Sequence, residues 1–368
     1  MFALVDADQD QRDVQRITLV PFLSDGRCVL IDGANGPELP CGEVRMGEDP
    51  LFDTVLRVPM ETAGFRYQRF RPVGRDGSHL YGWVEGAPYS GSKPHATVPL
   101  HTCTAEEAAA RLTNGRQPLA AEVVMAAARS YRNLDDRAYF EDNRRRLEHA
   151  YLRGQTAQEG SGFGGDSEQW LLARHHITEA IDRDGTFLDV GCANGLLMES
   201  VVSWCAERGI QVEPYGVDLS PGLAELAQRR LPQWADRIWV GNAIDWVAPD
   251  GLRFDYVHLL LDCVPRTRRS SLIQHHLAST CAPGTGKLLV SHYGADPDGA
   301  HAPEIVRDLG FTCSGQSSGG QRHDRPPEPT AWINASGLRP ATNGGPGPQR
   351  SRRSSRSQPA SSRAEDQR

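Results

Sequence analysis

The stretch Gly185-Thr-Phe-Leu-Asp-Val-Gly-Cys-Ala-Asn-Gly195 constrains this chain more than any other. It runs from a short apolar strand, Thr186 to Val190, through an acid into a glycine turn, and then into a helix with Leu197, Val201 and Cys205 at i, i+4 and i+8. An apolar strand without alternation is one buried on both faces, and such strands belong to parallel sheets covered by helices. Gly191 and Gly195 allow the backbone to turn tightly against a ligand. A turn of this kind at a helix N-terminus exposes N–H groups that suit an anion, and the carboxyl ends of strands in open α/β sheets are where ligands bind.

The rest of the C-terminal half supports that frame, because strand and helix signals alternate. Strands are expected at Tyr215–Asp218, Arg237–Val240, Phe254–Leu261 and Lys287–His292, then at 311–315 and Thr330–Ile333. Ser220-Pro221 is a helix start, with serine as cap and proline in the first turn. Further helices are expected at Thr267–Cys281 and Pro303–Leu309.

Four motifs occur in the order and spacing of the class I S-adenosylmethionine-dependent methyltransferases, which residues from about 150 to 335 resemble. Asp189-Val-Gly191-Cys-Ala193-Asn194-Gly195 is similar to the first family motif, with Ala193 where a glycine is usual. Asp218 matches the acid that binds the ribose hydroxyls in that family, with Leu219 beside it; a carboxylate can accept two hydrogen bonds from a diol. Asn242-Ala243 stands where the family usually has an aspartate facing the adenine amino group, Phe254-Asp255 opens the fourth strand, and Pro283-Gly-Thr-Gly286 precedes the fifth. The resemblance implies a Rossmann-like seven-stranded sheet, S-adenosyl-L-methionine as cofactor, and methyl transfer. A nicotinamide cofactor would call for G-x-G-x-x-G, whereas these glycines are spaced G-x-x-x-G, and Asp189 would repel a pyrophosphate while suiting the cationic methionine end of a methyl donor. A donor-binding protein without catalysis is the other outcome compatible with the motifs.

The acceptor is expected beyond the carboxyl ends of strands four and five. His258, Asp262, His292 and Tyr293 are the candidate catalytic or lining groups, with Tyr151 or Phe163 reaching in from the preceding segment. A base matters for a hydroxyl nucleophile and little for an amine or thiolate. The folded part has no basic aromatic face and Leu261-Asp-Cys-Val264 lacks an Asn-Pro-Pro-Tyr-like signature, so the expected partner is a small-molecule acceptor and neither nucleic acid nor membrane. The sequence leaves the oligomeric state open.

Upstream, Arg16–Leu23, a Ser-Asp-Gly turn and Arg27–Asp32 are expected to form a β-hairpin. Strands at Tyr67–Val73, His79–Val84 and 96–100, and helices at Glu106–Leu112 and Pro118–Tyr131, complete a smaller α+β unit over about 14–133. Within it Gly42, Glu48, Arg57 and Gly64 resemble the Nudix box, which places several carboxylates on one helical face to hold magnesium against a diphosphate. Eight residues instead of seven separate Glu48 from Arg57, and Val58 and Thr62 occupy two of the three metal-binding positions. Glu61 alone remains, and Pro59 is expected to interrupt the helix. The resemblance therefore implies a degenerate Nudix-like scaffold or binding module, with a magnesium-dependent diphosphatase as the alternative.

Residues 1–13 are a polar leader. Asp135–Arg153 is a connecting helix, with Tyr139, Leu147 and Tyr151 in helical register, and the glycine-rich 158–167 is either a gate over a ligand or a plain linker. Glu168–Ile181 resumes as an amphipathic helix, the main unit running from 168 to 335; His175 and His176 in it are solvated or packed rather than ligands. From Ser336 the chain is rich in Pro, Gly, Ser and Arg, with a basic cluster at 350, 352, 353 and 356, and is expected to be disordered. All but Lys93 and Lys287 of the 40 basic residues are arginine, which points to a GC-rich bacterial genome, while a net charge of -7 gives no global case for binding nucleic acid. Eight scattered cysteines without C-x-x-C indicate neither a zinc site nor a disulfide framework, and with no basic or long apolar leader a cytoplasmic protein is expected.

Overall fold

The structure, a computed structural model, describes residues 2–5, 13–34, 36–88, 99–293, 299–322 and 327–337. Most of the tail after Ser336, including its arginine cluster, lies outside the described residues, as do 96–98 of one expected strand.

The N-terminal half builds one sheet from β1 (Ala3–Leu4), β2 (Arg16–Phe22), β3 (Cys28–Gly33), β4 (Gly36–Glu38), β5 (Cys41–Glu43), β6 (Phe65–Asp76), β7 (His79–Pro88) and β8 (Leu100–Cys103). Its order is β1-β6-β7-β2-β3-β4, with β5 also on β2 and β8 on β3. The alternation along β2 explains its two-sided burial. Ile17 and Leu19 pack toward α1 (Val55–Ala63), while Val20 and Phe22 pack toward α2 (Ala105–Asn114) and α3 (Pro118–Arg132).

Two expectations for this half are corrected. The β2–β3 hairpin is paired only at Phe22↔Cys28, because β2 runs parallel to β7 along its length and gives its other edge to β5 at Arg16–Thr18. Pro59 does not interrupt its helix: α1 continues through it to Ala63 and ends on Gly64 in the left-handed conformation. The carbonyl that the proline ring crowds belongs to Val55, the first residue after a π-helical turn at Pro50–Thr54, so the clash falls where the hydrogen-bond ladder is already loosened.

α4 (Asp136–Tyr151), started by Asp135 accepting from the N–H of Ala138, leads into the C-terminal half. The expected helix 168–181 is split there into α5 (Ser167–Arg174) and a 3₁₀ turn, His175–Ala180. Seven strands follow: β9 (Gly185–Val190), β10 (Val212–Asp218), β11 (Ile238–Val240), β12 (Tyr256–Leu260), β13 (Lys287–Ser291), β14 (Gly315–Ser318) and β15 (Pro329–Asn334). They are ordered β11-β10-β9-β12-β13-β15-β14; the first five are parallel, and β15 is antiparallel to both its neighbours. The strand expected at 311–315 begins only at Gly315. The helices α6 (Leu196–Glu207), α7 (Pro221–Arg230), α8 (Arg269–Ser279) and α9 (Ala302–Asp308) connect the strands. Chain order reverses at β9, which has β10 on one side and β12 on the other, so the crevice for a ligand opens at the carboxyl ends of β9 and β12. Among the described residues no helix is long and apolar enough to cross a membrane.

Candidate functional site

The turn after β9 takes its shape from three residues in the left-handed region: Gly191 at φ 86°, Ala193 at 46° and Gly195 at 77°. Four of its N–H groups, those of Gly191, Cys192, Ala193 and Gly195, are already bonded within the chain, contrary to the expectation from the motif. Those of Gly191 and Cys192 go to the carbonyl of Val217 at 2.7 and 3.1 Å, that of Ala193 to Asp218 at 2.8 Å, and that of Gly195 to the carbonyl of Cys192 at 2.8 Å. The N–H of Leu196 goes to the side chain of Asn194. A cradle for a phosphate needs such donors unpaired, so the local hydrogen bonding that shapes this turn weakens its anion-binding character.

Asp218, at the end of β10, is buried, and each of its carboxylate oxygens accepts one backbone N–H, from Ala193 (2.8 Å) and from Ser220 (2.8 Å). Burial pushes its carboxyl up to about 6, against these two bonds, which favour ionisation. A carboxylate oxygen accepts more than one hydrogen bond, so lone pairs remain for hydroxyl donors. Next to it, Leu219 and Asn242 line an open cleft of about 1030 Å³ whose other walls include Phe140, Arg71, Arg137 and Asp142. Asn242 Oδ1 accepts from the N–H of Ile244 at 3.3 Å, and the carbonyl of Ala243 accepts from His276 at 2.9 Å, which fixes the loop after β11.

The segment before α5 is a packed cover. Glu159–Ser161 form a 3₁₀ turn, and Phe163 is buried against Trp170 and under Arg174. Asn194 fastens this cover by donating from Nδ2 to the carbonyl of Ala157 at 2.7 Å. Its side chain is thus spent within the chain and not offered to a ligand. The end of α4 lies on the same site: Glu148 accepts from Ser220 Oγ at 2.7 Å, and Tyr151 packs so closely on Gly162 that a Cβ there would stand 2.1 Å from its hydroxyl.

At the carboxyl ends of β12 and β13, Asp262 Oδ1 stands 2.8 Å from His292 Nδ1, and Asp262 Oδ2 accepts the N–H of Tyr293 at 2.8 Å. Burial opposes the ionisation of Asp262, but these partners outweigh it and hold the carboxyl below the usual carboxylate range. The Asp262 side chain is 31% exposed while that of His292 is 5% exposed, so the carboxylate is the accessible member. Tyr293 is stacked under Arg174, 3.6 Å from ring centroid to guanidinium carbon, and Arg174 pairs with the buried Glu328 at 3.0 Å.

His258 is the fourth acceptor-side candidate, and the structure places it elsewhere. It is buried inside the sheet beside Asp189, with Nδ1 2.9 Å from Asp189 Oδ1 and Nε2 3.1 Å from Ser291 Oγ, which in turn lies 2.7 Å from Thr330 Oγ1. A fully enclosed ring with both nitrogens engaged cannot line an acceptor pocket. Sequence reasoning missed Ser291, Thr330 and Glu148; the first two sit in apolar strands as small hydroxyl residues, and nothing local marks Glu148.

In the N-terminal half, Glu61 is bound by Arg45 through both carboxylate oxygens, at 3.1 and 2.8 Å, and by Arg57 at 3.0 Å. Arg57 also bonds Glu48 at 2.6 and 2.8 Å and the carbonyl of Glu43, and its hydrogen bond brings the Glu48 carboxyl down to about 2. Gly42 is required by close approach, since a Cβ there would stand 2.7 Å from Val58. No cluster of three or more metal-ligating side chains occurs among the described residues.

No protein-family model matches the sequence, and no curated protein matches it. Among solved structures, the chain is similar to a SAM-dependent methyltransferase from Aquifex aeolicus at 14% identity and a TM-score of 0.34, covering 46% of this chain and 94% of that one. It is similar to a putative class I S-adenosylmethionine-dependent methyltransferase from Listeria monocytogenes at 14% identity and 0.35, covering 62% and 80%. A SAM-dependent methyltransferase from Leishmania major matches at 12% identity and 0.39, covering 51% and 81%.

Proposed function

We propose that this protein transfers a methyl group from S-adenosyl-L-methionine to a small-molecule nucleophile. The observation that carries this reading is a glycine turn at the switch point of a parallel sheet, four of whose N–H groups are already used, beside a buried carboxylate, Asp218, on the neighbouring strand. Such a site repels phosphate and welcomes hydroxyl donors and positive charge, which is the character of an adenosyl sulfonium and the opposite of a dinucleotide. Asp218 would hold the ribose hydroxyls, Leu219 and Asn242 the base, and the turn at Gly191–Gly195 with Asp189 the cationic methionine end.

When bound, the donor supplies an activated methyl group with a neutral leaving thioether. The chain has to position the nucleophile in line and exclude water. The cover formed by Tyr151, Gly160 and Phe163 serves exclusion. Asp262, ionised and partly exposed, accepts a hydrogen bond from an O–H or N–H nucleophile and takes its proton, with His292 and the N–H of Tyr293 fixing the carboxylate.

The N-terminal half we take as a non-catalytic Nudix-like accessory domain over about 14–133. Glu48 and Glu61 are neutralised by Arg45 and Arg57, so the carboxylates that would hold magnesium are occupied by guanidinium groups. The test is calorimetry with S-adenosylhomocysteine, where the native protein binds and Asp218→Ala does not, followed by a methyl-label transfer screen against small metabolites. Full binding by the Asp218 variant would overturn the site assignment.

A further inference from the structure

Four side chains from four adjacent strands form one buried hydrogen-bonded row across the C-terminal sheet: Asp189 on β9, His258 on β12, Ser291 on β13 and Thr330 on β15, at 2.9, 3.1 and 2.7 Å. Each is at most 3% exposed. The Asp-His-Ser order is that of a hydrolytic triad, but no substrate carbonyl can approach a serine at 2% exposure, so nucleophilic chemistry is excluded by access. What the row does is orient. A carboxylate only accepts, so His258 Nδ1 must carry a proton toward Asp189. In the neutral ring Nε2 then accepts from Ser291 Oγ, and Ser291 accepts from Thr330. Every donor in the row points toward Asp189, and the row ends on its Oδ1.

We infer that His258, backed by Ser291 and Thr330, is a positioning residue: it fixes the Asp189 carboxylate so that the other oxygen, Oδ2, recognises the cationic amino-acid end of the donor. This rests on the proposed donor site. It differs from a merely structural role because it acts on one end of the ligand only. An unheld carboxylate would spend binding free energy on its own ordering, and a hydrogen-bonded one is preorganised.

The experiment compares two thioether probes that share a nucleoside and differ at that end: S-adenosylhomocysteine, which carries the ammonium and carboxylate, and 5′-methylthioadenosine, which lacks both. The inference expects His258→Leu to weaken S-adenosylhomocysteine by tenfold or more while 5′-methylthioadenosine changes by less than about twofold. His258→Asn, whose amide can still donate to Asp189, should recover part of the loss. Ser291→Ala, which keeps the ring and removes its outer support, is the second variant should His258→Leu not fold; it should weaken S-adenosylhomocysteine selectively by a few-fold. Equal weakening of both probes, or unchanged S-adenosylhomocysteine affinity in both variants, overturns the inference while leaving the donor site intact. Native protein that binds neither probe overturns the donor site and this inference together.

Discussion

Ala193 stands in the left-handed region at φ 46°, and from there its N–H reaches Asp218 Oδ2 at 2.8 Å. A residue with a Cβ costs roughly 1–2 kcal/mol in that conformation, and the charge-assisted bond to Asp218 is what holds it there. Glycine at this position would keep the bond and lose the strain, at the expense of greater freedom in the unfolded chain. Ala193→Gly should therefore leave stability unchanged or raise it by up to about 1 kcal/mol and retain S-adenosylhomocysteine binding. Ala193→Val, β-branched at positive φ, should lose 2 kcal/mol or more, roughly. Urea unfolding of the two variants checks both signs.

Donor binding should depend on pH through Asp218. Burial places its carboxyl at about 6 in the free protein, and hydroxyl donors bind the ionised form better. Affinity for S-adenosylhomocysteine should be level above pH 7 and fall below pH 6, approaching roughly tenfold per pH unit. Titration calorimetry from pH 5 to 7.5 measures this, and a flat profile would remove Asp218 from the ribose site.

The legible part of the molecule was the part whose signals are local. The strand, turn and helix from Gly185 to Glu207, and Ser220-Pro221 as a helix start, follow from periodicity and capping within a dozen residues. What was not legible depends on partners far away in the chain. The N–H groups of Gly191, Cys192 and Ala193 are consumed by Val217 and Asp218, and the side chain of Asn194 by Ala157, none of which the motif announces. His258 looked like a strand-end ligand group because only the register that sets it opposite Asp189 shows that it is enclosed. Pro59 read as a breaker because the π-helical turn before α1 has no sequence signature.

The arginine-carboxylate network of the N-terminal half should be structural, and its members unequal. Arg57 is 16% exposed and bonds Glu48, Glu61 and the carbonyl of Glu43, so Arg57→Ala takes from Glu48 its charged partner, leaving it only Thr54 Oγ1 and the N–H of Arg45, and should cost about 2 kcal/mol. Glu61 is 47% exposed, and Glu61→Gln should cost less than about 1 kcal/mol. Neither the native protein nor Glu61→Gln should release phosphate or a nucleoside monophosphate from nucleoside diphosphate derivatives with magnesium. Turnover lost in Glu61→Gln would show that this carboxylate serves a metal after all.

Acid sensitivity should trace in large part to His276. Its ring is fully buried in α8, with Nδ1 3.0 Å from Thr280 Oγ1 and Nε2 2.9 Å from the carbonyl of Ala243, the residue after Asn242 in the loop that borders the cleft. Burial brings the imidazole down to about 4 from an ordinary 6.5, so the folded protein keeps it neutral while the unfolded chain takes up a proton. The contribution is fully present above pH 6.5 and is lost as pH falls from 6.5 toward 4, by about 3 kcal/mol in all. His176, also brought down to about 4 by burial, adds in the same direction, whereas Asp218 and Asp142, raised to about 6, gain stability as they protonate over much of the same range. Those three groups are common to a variant that alters only His276, so they cancel in the comparison. His276→Gln, whose amide can still donate to Ala243, should lose about 3 kcal/mol less than the native protein between pH 7.5 and 4. Urea unfolding at the two pH values measures the difference, and equal losses would mean that His276 is protonated in the fold.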